Sequence, residues 1–158
     1  MNKKMGLIGF FCIFTLLTPA HARLGENGPE IVQRYGAPTK DLGLEGDDIR
    51  RFMFEKDNVS IRVTFQGTDS VEEIYRTLDG TDVSVSAINA LLKANAGNSH
   101  WKPTKSTDQE MDWERDDGQA VAVCTKPGNV LIVSTKRYFE KAARQSGSSG
   151  DGGAVNGF

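Results

Sequence analysis

Apolar and polar positions change period along the chain, and those changes mark its elements. Gly28 and Pro29 open a stretch in which Ile31, Val32 and Tyr35 fall on one helical face, with Pro at the first helical position, where its missing N–H costs nothing. Gly36, followed by Ala37-Pro38, stops that helix after about two turns. Residues 41–48 are polar and contain glycine, and they read as a loop. From Arg50 the period becomes two: Phe52 and Phe54 share one face, and Ile61, Val63 and Phe65 share one again. Lys56-Asp57-Asn58 supplies the turn between them, and a third strand follows Gly67-Thr68-Asp69 over residues 71–78.

A second helix begins after Ser84, an N-cap flanked by the hydrophobic staple Val83 and Ile88. Ile88, Leu91 and Leu92 form its apolar stripe, and Gly97 supplies its stop. Three more strands are predicted over 110–115, 119–125 and 130–134, separated by Asp117-Gly118 and Pro127-Gly128-Asn129. A short basic amphipathic helix over 136–144 closes the fold. Residues 146–158 hold five glycines and three serines with little to bury, which predicts a disordered tail.

The predicted fold class is therefore α+β, with short helices packed on antiparallel β meanders in a single domain over residues 23–145. Its halves, 25–78 and 83–138, resemble each other. Phe54-Glu55-Lys56-Asp57-Asn58 matches Trp113-Glu114-Arg115-Asp116-Asp117, and the same offset pairs Phe52 with Met111, Ile61 with Ala120, Val63 with Ala122 and Phe65 with Cys124. A tandem duplication of a helix-plus-three-strands unit accounts for the match.

Processing alters the charge balance. Lys3 and Lys4, the apolar run from Gly6 to Leu17 and Thr18-Pro19-Ala20-His21-Ala22 have the charged, apolar, small-x-small order of a secretory signal peptide over residues 1–22. The run is shorter than the roughly 20 residues a transmembrane helix needs. Loss of Lys3 and Lys4 takes the 19 basic residues to 17 against 21 acidic, a net charge of about −4. Nucleic acid is a poor partner for such a chain, because phosphate binding needs a positive field. Only Cys124 remains of two cysteines, so no intramolecular disulfide is expected; it ends the apolar run Ala120-Val121-Ala122-Val123 and reads as a buried, inert thiol.

Gly25, Pro29, Val32 and Tyr35-Gly36-Ala37-Pro38 resemble the start of small envelope proteins of the outer-membrane assembly lipoprotein type, the SmpA/OmlA or BamE-like group. In that group a short helix ends in a Gly-x-Pro turn before a β meander. The tandem arrangement is also similar in topology to the β-lactamase-inhibitor-protein fold. The chain departs from the lipoproteins in lacking their lipid-attachment cysteine, and no inhibitor contact residues carry over. The resemblance implies an accessory or binding role in the envelope.

Catalytic chemistry has few candidates. His100 is the histidine left after processing, in the loop-like stretch Asn98-Ser99-His100-Trp101-Lys102-Pro103, and reads as a surface side chain. No Gly-x-Ser-x-Gly elbow occurs, zinc lacks nitrogen and sulfur ligands, and no cofactor is expected. The most unusual feature is Asp108, Glu110, Asp112, Glu114 and Asp116, whose common parity lines one face of a strand while Met111 and Trp113 take the other. Counted from Asp112, the calcium-loop positions for Gly and Glu hold Asp117 and Val123. The stripe is thus either a docking surface for a basic partner or a solvated strand face that discourages edge pairing. The expected function is an exported, non-enzymatic binding or accessory protein of the periplasm or secreted space, with an envelope or extracellular protein as partner. The alternatives are a carboxylate-based extracellular enzyme and an inhibitor of an extracellular enzyme.

Overall fold

A computed structural model describes residues 24–46, 48–126 and 130–148. The expected signal peptide, the Pro127-Gly128-Asn129 turn and residues 149–158 of the expected tail lie outside the described residues. The elements run α1 (Gly28–Tyr35), β1 (Lys40–Glu45), β2 (Ile49–Lys56), β3 (Val59–Gln66), β4 (Asp69–Thr77), α2 (Val85–Ala94), β5 (Trp101–Ser106), β6 (Glu110–Arg115), β7 (Ala120–Thr125), β8 (Val130–Thr135) and α3 (Lys136–Ser148). All eight strands form one antiparallel sheet in the order β1-β2-β3-β4-β8-β7-β6-β5.

This architecture corrects the α+β expectation of helices packed on separate meanders, with a repeated helix-plus-three-strands unit. The fold is mainly β. Each half supplies four strands rather than three, and β4 pairs with β8 so that both halves share one sheet. The two strands absent from the prediction are the edges: β1 falls where a loop was expected at 41–48, and β5 falls in the loop expected around His100. Every residue of β1 is exposed, as is every residue of β5 after Trp101. Neither edge therefore has an apolar face to betray its period. Both are blunted, β1 by a bulge between Asp41 and Gly43 and β5 by a bulge between Pro103 and Lys105, which are the usual protections of an open edge.

Sequence signals are sharper at the caps and turns. Asn27 and Glu30 form a reciprocal capping box at α1, with Pro29 in the first turn. Asp57 and Asn58 both have positive φ, at 51° and 63°, the conformation of a two-residue turn whose twist suits a hairpin. Helix α2 ends before Gly97, at Asn95, which is fully buried. Asn95 Nδ2 donates to the Leu91 carbonyl at 3.1 Å, its Oδ1 accepts from the Leu24 amide at 3.2 Å, and Trp101 Nε1 donates to the Leu92 carbonyl at 2.7 Å. These bonds satisfy the helix terminus and tie the chain before α1 to α2. Helix α3 runs on to Ser148 and takes in residues 146–148 of the expected tail.

The register divides the sheet into two unlike faces. One row reads Phe54, Ile61, Tyr75, Leu131, Cys124, Met111, and the next reads Phe52, Val63, Glu73, Val133, Ala122, Trp113. Against this face α1 packs Ile31 and Tyr35, and α2 packs Ile88 and Leu92, which closes the core. Each fully buried aliphatic side chain there contributes roughly 1.5–3 kcal/mol. The opposite face belongs to α3 and solvent.

Candidate functional site

The second face is mixed: residues of opposite parity are mostly polar or charged on β2–β6, apart from Met53 and Ile74, and partly aliphatic on β8 and β7. One row reads Arg51, Thr64, Glu72, Ser134, Val121, Glu114, Lys102 across seven strands. The adjacent row reads Met53, Arg62, Ile74, Ile132, Val123, Asp112, Lys105. Arginines collect on β2–β4, carboxylates on β6, and aliphatic side chains separate them on β8 and β7.

Of the five predicted stripe residues, Glu110, Asp112 and Glu114 lie on β6 and share this face, with Met111 and Trp113 turned to the core. Asp108 sits in the bend before the strand and Asp116 in the turn after it. Three of the five are paired within the chain: Glu110 with Lys105 at 3.0 Å, Glu114 with Lys136 of α3 at 2.7 Å and Asp116 with Lys102 at 2.8 Å. Asp112 lies between Glu110 and Glu114; Lys105, opposite it in register, bonds Glu110 instead and attracts Asp112 only at longer range, and the Asp112 Oδ1 is buried without a hydrogen bond. Burial, and then the Glu110 charge beside it, push the Asp112 carboxyl above the usual range. Glu110 is held below its usual value, chiefly by the hydrogen bond from Lys105. The two acids thus titrate apart.

The arginine end was not anticipated, although the outward parity of the alternating strands carried its signal. Arg62 and Glu72 stand 3.9 Å apart, and Thr64 donates to Glu72 at 3.2 Å. Burial raises the Glu72 carboxyl and lowers the Arg62 guanidinium, with Glu72 opposing the latter shift and Arg51 and Arg76 reinforcing it. Arg51 pairs with Glu45 of β1 and reaches the Tyr138 hydroxyl of α3 at 3.4 Å. Lys136 and Tyr138 therefore clasp α3 to both ends of the polar face. Beside this clasp lies a cleft of about 400 Å³, bounded by the β1–β2 turn and α3.

The other candidates stand apart from one another. Cys124 is 1% exposed on the core face, and burial pushes its thiol up. His100 is a surface side chain, 88% exposed and 4.0 Å from Asp116. The two do not form a nucleophile pair. Among the described residues no group of three or more His, Cys, Asp or Glu side chains is placed to hold a metal ion, and no helix is long and apolar enough to cross a membrane.

No family model matches the chain, and no curated protein matches it. Among solved structures, a cysteine-rich secretory protein from Staphylococcus aureus aligns over 73% of this chain at 12% identity and a TM-score of 0.44. The aligned chain spans 46% of that protein's length, and the likeness is too loose to assign a shared fold.

Proposed function

We infer that the protein is an exported, non-enzymatic binding module of the cell envelope or secreted space, and that the acidic strand β6 is its docking surface for a basic partner protein. One observation carries the reading. Asp112 keeps a carboxylate on the polar face between two other acids, partly desolvated, while Lys105 opposite it is bonded to Glu110. Such a charge costs stability in the free protein, and a lysine or arginine from a partner would offset that cost. Glu110 and Glu114, already held by Lys105 and Lys136, flank it as a rim of fixed orientation.

A carboxylate-based enzyme is the competing reading, and the divergent titration of Glu110 and Asp112 favours it, since an acid and a base with separated pKa values are what such chemistry uses. The docking reading is preferred because both groups lie on a strand surface beside the edge strand β5.

Capture from an envelope extract tests the reading. Mature protein and a Glu110→Ser, Asp112→Ser, Glu114→Ser variant are immobilised at low and moderate salt, with folding checked by circular dichroism. The wild type should retain a basic partner that the triple variant loses, and salt should weaken capture because exposed charges are screened within about 8 Å at physiological ionic strength. Equal capture by both proteins would remove β6 from the account.

A further inference from the structure

The cleft at the arginine end of the polar face draws on parts of the chain far apart in sequence: the β1–β2 turn, β3 and α3. Among the described residues its lining contains the cations Arg51 and Lys141 and the carboxylates Glu45 and Asp48. Tyr138, Gln66 and Gln145 add neutral hydrogen-bonding groups, with the side of Ile49 as an apolar patch. A volume of about 400 Å³ falls within the range of small-ligand sites.

The charge pattern restricts the ligand. Both signs of charge line the cleft, so a singly charged molecule would meet a like charge wherever it gained an opposite one. A molecule with both signs meets neither difficulty. Arg51 is also held in place before any ligand arrives, by Glu45 on one side and the Tyr138 hydroxyl on the other.

We propose that this cleft binds a small zwitterion of the amino-acid or dipeptide class, with its carboxylate toward Arg51 and Lys141 and its ammonium toward Glu45 and Asp48. The site is separate from β6 and needs no basic protein partner, so it goes beyond the docking function and stands or falls independently of it.

Alanyl-alanine is a suitable probe, with N-acetyl-alanyl-alanine and alanyl-alanine amide as controls that each remove one charge. Titration of the mature protein by calorimetry and by amide chemical shifts should give saturable binding to the free dipeptide, with shifts centred on Arg51, Gln66 and Tyr138. Each blocked dipeptide, and the variants Arg51→Met and Lys141→Met, should bind about tenfold more weakly or worse. Lys141 is exposed, so its variant tests the site even if Arg51→Met disturbs the clasp. The triple β6 variant should bind the dipeptide as wild type does, which separates this site from the docking surface. Absence of saturable binding up to about 10 mM, or equal binding of the blocked dipeptides, would overturn the proposal.

Discussion

The phenol of Tyr35, on α1, donates a hydrogen bond to Glu73 Oε2, on β4, across 2.8 Å of closed core. Tyr75 donates to the same oxygen, and the two phenols stand 3.3 Å apart. Glu73 is fully buried between Val63 and Val133 on the apolar face, so α1 docks onto the sheet through a polar bond inside the core. Removing a donor to a buried carboxyl costs roughly 1–3 kcal/mol. Tyr35→Phe should lower the free energy of unfolding in urea by that amount, with the slope of the transition unchanged. An unchanged midpoint would mean the bond contributes nothing.

Acid should weaken the connection between β4 and α2. Asp79 accepts from the Thr81 hydroxyl at 2.6 Å, the Thr81 amide at 3.0 Å and Asn58 Nδ2 at 2.9 Å, and these bonds lower its carboxyl to about 2. A lowered folded value means the contribution is present above the ordinary carboxylate range and is lost as pH falls toward about 2. Asp79→Ala should therefore melt below wild type at pH 7, and the gap should close near pH 2. A gap independent of pH would contradict this.

Asp112 should show the opposite sign. Its folded value is raised, so ionisation disfavours the folded state and stability falls as pH rises from the ordinary carboxylate range through that raised value. Asp112→Asn should stabilise the protein at pH 7 and confer no gain at pH 3, as read by thermal melting. A destabilised variant at pH 7 would show that the charge is already compensated within the chain, and would leave a basic partner nothing to relieve.

Cys124 should be inert in the native protein. It packs on the core face opposite Leu131 and Met111, with burial raising its thiol. A thiol reagent should label it slowly in native buffer and rapidly in urea. Equal rates would place it at the surface.

Elements that bury one face were legible in the sequence, and those that bury neither were not. Phe52 and Phe54 on β2 and Ile61 and Val63 on β3 announce their strands because alternation reflects a covered face. Lys40–Glu45 and Trp101–Ser106 do not, because each has a single neighbouring strand and, Trp101 aside, is exposed along its length. Without those edges each half looked like a helix with three strands, and the β4–β8 junction, which pairs Glu72 with Ser134, 62 residues later in sequence, left no local trace. Helix α2 was placed by its cap and stripe, but its end was assigned to Gly97 because buried Asn95 caps through contacts with Leu24 and Arg115 that spacing does not encode. The parity of Glu110, Asp112 and Glu114 was read directly, while the lysines that hold two of them come from β5 and α3.

The most direct test uses the partner captured by the wild-type protein. Its dissociation constant should be measured against wild type, Asp112→Asn and Asp112→Lys, each shown to be folded, at two salt concentrations. Docking on β6 predicts weaker binding for Asp112→Asn and at least about tenfold weaker binding for Asp112→Lys, about 1.4 kcal/mol, with the wild-type advantage shrinking as salt rises. Equal constants for all three proteins at both salt concentrations would contradict docking through the acidic strand.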